Sequence, residues 1–151
     1  MWQTVIAVVG TLAGSLVTAL LQRRALRLQA DITRQDKATA DRLTAVTTFA
    51  AALADHRRAM WLREHLRLTA APGQQTAEAR TASHATRSAL TAPHLAVSLL
   101  LPTLQAPAAR AVEATYALRN AAHLDQLTAM RAEALTAMDA FTDAARTALS
   151  A

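Results

Sequence analysis

The sequence predicts an all-α protein: a single N-terminal transmembrane helix continuing into a cytoplasmic antiparallel helical bundle. Three observations carry this. Only three of the 151 residues are glycine and about a quarter are alanine, so tight hairpin turns are scarce while helix formers abound. Neither Gly nor Pro occurs between Ser15 and Pro72. Apolar residues recur at alternating spacings of three and four, the period of a helix packed on one face.

The first element is the span. Residues 2–21 carry no Asp, Glu, Lys, Arg or His, and as a helix rising about 1.5 Å per residue they reach roughly 30 Å, the thickness of a bilayer's hydrocarbon. A cleaved signal peptide would place a basic stretch before a shorter apolar run, and here the run has no basic side chain before it. The expected location is therefore the cell membrane, single-pass. Arg23, Arg24 and Arg27 follow the span at once; positive residues are retained on the cytoplasmic side, leaving the N-terminus outside. Gly10, Gly14 and Thr18 form a small-residue row that lets a second helix approach, which points to self-association.

Residues 22–42 read as a basic juxtamembrane stalk. Between Gln22 and Arg67 stand ten Lys/Arg and five Asp/Glu, whereas Leu68 to Ala151 holds six of each. The net charge of +5 thus belongs to the first part of the chain, where anionic headgroups account for it. No nucleic-acid recognition motif or aromatic-rich basic surface accompanies it, which argues against direct nucleic-acid binding.

Residues 43–150 are expected to form the bundle. Leu43, Val46, Ala50, Leu53, Arg57, Met60 and Glu64 make one stripe of the first helix, which ends at Ala71-Pro72-Gly73, where the glycine permits a turn. A second helix is predicted over Thr76 to Thr91. A short buried helix follows over His94 to Leu101, set off by Pro93, Pro102 and Pro107. An unbroken last helix runs from Ala108 to about Ala148, with Val112, Tyr116, Arg119, His123, Leu127, Met130, Ala134, Met138, Phe141 and Ala145 in one stripe. Met60, Trp61, Tyr116 and Phe141 are the expected large core residues.

Chemistry-bearing clusters are few. With no cysteine there is no disulfide, thiol nucleophile or zinc knuckle. The five histidines form no i, i+4 pair or HExxH, so no metal is expected. Ser83 and His84, adjacent on a helix, diverge by about 100°, against the geometry of a nucleophile and its base. No catalytic residue, cofactor or enzymatic activity is predicted. The densest polar cluster is Asp55, His56, Arg57, Arg58, Trp61 and Glu64. Arg57 and Glu64 fall on the apolar stripe while Asp55, His56 and Arg63 point elsewhere, so convergence on one substrate is not expected. Arg57 and Glu64 should instead pair across to another helix, through His84, Arg87 or Tyr116. The cluster, with His84, Arg87 and Arg119, is thus a structural polar network or a partner contact.

The strings Met1 to Gly14 (MWQTVIAVVGTLAG), Leu43 to Glu64, Ser83 to Pro93 (SHATRSALTAP) and Ala114 to Arg119 (ATYALR) together resemble the KilB-type proteins of streptomycete conjugative plasmids and integrative elements. The resemblance covers nearly the whole chain, and the Arg- and Ala-rich composition suits a high-GC actinomycete. It implies a membrane-associated accessory protein of conjugative transfer, linked to intramycelial spread of the element and harmful to the host when unrestrained. It carries over no catalytic residue. Expected partners are the membrane, a second copy of the chain and other plasmid-transfer proteins. The alternative is a membrane-active, toxin- or holin-like protein whose span perturbs the bilayer.

Overall fold

The computed structural model describes the backbone of residues 2–150, and side chains for Gln22, Leu26, Arg27 and residues 29–150. Four α-helices occur, with no strand among the described residues: α1 (Trp2–Leu68), α2 (Gly73–Leu100), α3 (Gln105–Ala117) and α4 (Leu124–Ser150). Short 3₁₀ turns occupy Pro102–Leu104 and Leu118–Asn120. The chain divides into two units, Met1–Ala40 and Asp41–Ala151.

In the first unit every described side chain is exposed. Asp31 and Arg34 pair in solvent at 2.9 Å. Gly10, Gly14, Thr18, Arg23 and Arg24 lie outside the described side chains, and so does the apolar face of the expected span. Among the described residues no helix is long and apolar enough to cross a membrane.

The second unit is a bundle of α2, α3, α4 and the latter part of α1. α1 is unbroken because nothing in it removes a backbone donor or strains the helix. It ends at Ala70, whose φ of 51° is left-handed, with the Ala71 N–H donating to the Leu66 carbonyl and the Ala70 N–H to the Arg67 carbonyl. This is the double bond of a Schellman ending, in which glycine is the usual left-handed residue. Gly73 therefore does not make the turn as expected; it has no positive φ and opens α2 behind Pro72.

Pro93 does not break the second helix either. α2 runs through it to Leu100. Proline there deprives the Ala89 carbonyl of its partner, but Ala89 is exposed, so water can replace the bond. The helix stops one residue before Pro102, which forces Leu101 out of helical geometry (φ −139°, ψ 72°). The predicted separate buried helix is thus the end of α2. Val97 and Leu101 are buried, yet Leu95 is 58% and Leu99 70% exposed.

The last predicted helix is two. α3 starts with Pro107 in its first turn, where a missing N–H costs nothing. Near Asn120 the chain reverses, and α4 begins with a reciprocal cap: the Gln126 N–H donates to His123 Nδ1 while the Gln126 side-chain oxygen accepts from the Ala122 N–H. His123 thus serves as a helix start, where one continuous stripe had been expected.

Cross-helix contacts fix the topology. α1 meets α2 through His56 and Thr86 and through Arg63 and Ser83. It meets α4 through Phe49 and Phe141 and through Trp61 and Arg131. In both pairings residue numbers rise on one helix as they fall on the other, the mark of antiparallel neighbours. One core cluster gathers Phe49, Leu53, Leu90, Val97, Leu104, Ala108 and Phe141; a smaller one gathers Met60, Leu118, Ala121 and Leu127. Met60 and Phe141 are buried as expected, but Trp61 and Tyr116 are only half-buried, and the large residue opposite Phe141 is Phe49.

Candidate functional site

The polar cluster of α1 is divided by its register. The buried line is Ala45, Phe49, Leu53, His56, Met60 and Glu64, which shares Leu53, Met60 and Glu64 with the predicted stripe. Elsewhere it lies one position away, so Leu43 is exposed. His56, expected to face outward, is 1% exposed. A one-residue change turns a side chain by about 100°, which brings His56 inward and leaves Arg57 at the margin.

His56 sits where α1, α2 and α3 meet. Its Nδ1 is 2.9 Å from the Thr86 hydroxyl, and that hydroxyl can donate to the Ala82 carbonyl, so the imidazole is the natural donor to Thr86. Its ring meets Tyr116 edge-on at 5.2 Å. Nε2 is buried with no partner. Burial, and secondarily the positive Arg87, lower the His56 pKa from 6.5 to about 4. Arg87 itself lies 5.1 Å over the Tyr116 ring. Arg63 Nη1 donates to the Ser83 hydroxyl at 3.4 Å. His56, Met60, Arg63, Ser83, Arg87 and Tyr116, with His84 and Arg119, line a cavity of about 40 Å³. The structure brings together His56, His84, Arg87 and Arg119 of the candidate polar network and adds Arg63, Ser83 and Tyr116, while Asp55, Arg57 and Glu64 do not join them. The seven-residue spacing of His56 and Arg63 was a visible signal that both lie on one face.

The remaining members go elsewhere. Asp55 pairs with Arg58 in solvent at 3.5 Å. Arg57, Arg58 and Trp61 line a second cavity with Arg131. Burial first, then Arg131 and Arg58, hold the Arg57 pKa below its usual value against the opposing effect of Asp139. Its Nη1 has no partner. Trp61 stacks on His65 at 4.8 Å, and the Arg131 guanidinium lies 5.4 Å from the Trp61 ring. Glu64 does not pair across to His84, Arg87 or Tyr116. It pairs with the adjacent Arg63 and with Arg67 of its own helix; Arg67, one turn on, reaches it at less entropic cost than a neighbouring helix would. Among the described residues no group of acidic and histidine side chains is arranged to hold a metal.

The depressed His56 pKa has a measurable consequence. The unfolded chain takes up a proton near pH 6.5 and the folded one only near pH 4, so stability falls as pH drops through that window. Between pH 7 and pH 5 urea unfolding should lose about 2 kcal/mol from this residue. His56→Asn, which keeps a donor toward Thr86 without a titrating ring, should remove that portion of the slope; an unchanged slope would show that His56 protonates as readily in the fold as in the unfolded chain.

Sequence comparison adds the relatives. A family model described as "KilB plasmid transfer protein" matches residues 43–149. A Streptomyces lividans protein described as "Protein KilB" is 50% identical over 142 residues, which is 94% of each chain. No solved structure matches.

Proposed function

Because the chain belongs to the KilB family of plasmid transfer proteins, we propose that it is a membrane-anchored, non-enzymatic accessory protein of conjugative transfer and intramycelial spread. It acts by associating with itself and with other transfer proteins at the cytoplasmic face. The uncharged run 2–21 supports the anchor, and the arginines behind it support the orientation. The observation that carries the contact role is the end of α2. Leu95, Leu99 and Leu100 stand exposed on α2, and Leu100 also lines a groove with Asp41, Thr44, Ala45 and Thr48 of α1 and Ala92, Pro93 and Ala96 of α2. Exposed leucines gathered on one stretch of helix support a contact surface. Anchoring raises the effective concentration of that surface, so modest contacts suffice.

Leu95→Asp combined with Leu99→Asp should reduce chemical crosslinking of the full-length protein and impair plasmid spread. The melting temperature should stay nearly constant, because both positions are solvent-facing. Unchanged crosslinking and spread would remove this surface from the mechanism. Exchange of residues 2–21 for an unrelated single span separates the second reading. Retained spread supports the contact role, whereas spread and host toxicity lost together would assign the activity to a bilayer-perturbing span.

A further inference from the structure

We propose that the cavity between α1, α2 and α3 is a binding site for one small phosphate-type oxyanion, a role independent of the contact surface on α2. Three guanidinium groups, Arg63, Arg87 and Arg119, and the His84 imidazole line it, and no carboxylate does. Among the described residues Arg87 and Arg119, like Arg57, Arg80, Arg110 and Arg131, have no carboxylate within ion-pair distance, and they share one cavity with Arg63, whose carboxylate partner is Glu64. Two cations without counter-charge beside a third that has only Glu64 repel one another, and an anion among them opposes that repulsion.

The buried end of the cavity supplies the second observation. His56, almost wholly enclosed, lines it and leaves Nε2 without a partner. Buried polar atoms are rarely left unpaired, so an orphaned nitrogen on a residue that lines a cationic cavity marks a missing partner. An oxyanion supplies one once Nε2 takes a proton: burial first, and the positive Arg87 second, disfavour the imidazolium, and the anion's charge opposes both. Arg87 is oriented by the Tyr116 ring beneath it, and Arg63 by Ser83 and Glu64. The donors thus come from three helical segments, which suits a tetrahedral group better than a planar carboxylate. The volume of about 40 Å³ is larger than one water requires and suits a small group.

The test titrates inorganic phosphate and, separately, glycerol 3-phosphate into the full-length protein in uncharged detergent micelles at constant ionic strength, read by calorimetry. Saturable binding near one equivalent is expected for at least one of them. Arg87→Gln and Arg119→Gln should each weaken it by about tenfold, the loss of one charge-assisted contact. Arg146→Gln, outside the cavity and paired with Asp143, should leave it unchanged. Tighter binding of glycerol 3-phosphate would identify a phosphomonoester such as a lipid headgroup; tighter binding of phosphate would identify the free ion. Absence of saturable binding by both, or equal weakening by Arg146→Gln, overturns the proposal. Both cavity arginines project from the surface, and an unchanged melting temperature in each variant verifies that the fold is retained.

Discussion

Phe141→Ala is expected to lower the unfolding free energy by about 3–5 kcal/mol, the range for deleting a fully enclosed aromatic ring. Phe141 and Phe49 are both 0% exposed and meet edge-on at 4.9 Å, so the loss includes the ring's burial, the aromatic contact and the cavity left behind. The loss also depends on how far the neighbouring side chains relax into the space. Ala108, Ala111 and Ala145 belong to the same cluster, and alanine has no longer side chain to swing into the space. Since domains of this size are stabilised by about 5–15 kcal/mol in total, the variant should lose a large part of its margin. A circular-dichroism melt of the full-length protein should show the midpoint falling by roughly 10 °C or more. Leu135→Ala, on the exposed side of α4, is the matched control and should change stability by less than about 0.5 kcal/mol. A small loss for Phe141 would mean that α4 does not close on α1.

How much of this was legible in the sequence depends on what each signal measures. The α4 stripe was, since Leu127, Ala134, Phe141 and Ala145 keep spacings of seven and four that any helical projection places on one face. The unbroken α1 and its end before Pro72 were legible too, because they depend only on local residues. The division between α3 and α4 was not. No Gly or Pro marks it, and the reversal rests on a histidine and a glutamine that bond across a helix start, a variant of the usual Ser or Thr cap. Pro93 misled in the opposite direction: its cost is set by solvent at Ala89, a property of the assembled bundle. The register of α1 at His56 and Arg57 was ambiguous because two lines one residue apart share Leu53, Met60 and Glu64, and only packing against Phe141 and Tyr116 selects the line through Phe49. The cationic cavity was hidden for the same reason. Its residues come from separate helices and become neighbours only once that register is set.

Glu64 carries the second large effect. Its side chain is 1% exposed, with one oxygen 3.4 Å from Arg63 Nε and the other accepting from Arg67 Nε. Arg67 in turn donates through Nη2 to the Ala121 carbonyl, in the turn between α3 and α4. This chain of bonds ties the end of α1 to the reversal that no glycine or proline specifies, beside the smaller core of Met60, Leu118, Ala121 and Leu127. Glu64→Ala should therefore cost about 2–4 kcal/mol, through a lost charge-assisted network and a void. The cost stays below that of stranding a deeply buried charge, because Arg67 is 48% exposed and regains water. Arg67→Ala, as a single change, should cost at least as much, because it leaves the enclosed carboxylate with Arg63 alone at 3.4 Å. The double variant should then be more stable than the two single losses predict by at least about 1 kcal/mol, the coupling of residues in one network. Glu64→Leu combined with Arg67→Leu gives the sharper outcome. Recovery of much of the loss would show that the pair serves to fix where α4 starts, with apolar packing able to replace its energy, while stability below Glu64→Ala would show that the bond to Ala121 itself holds the turn.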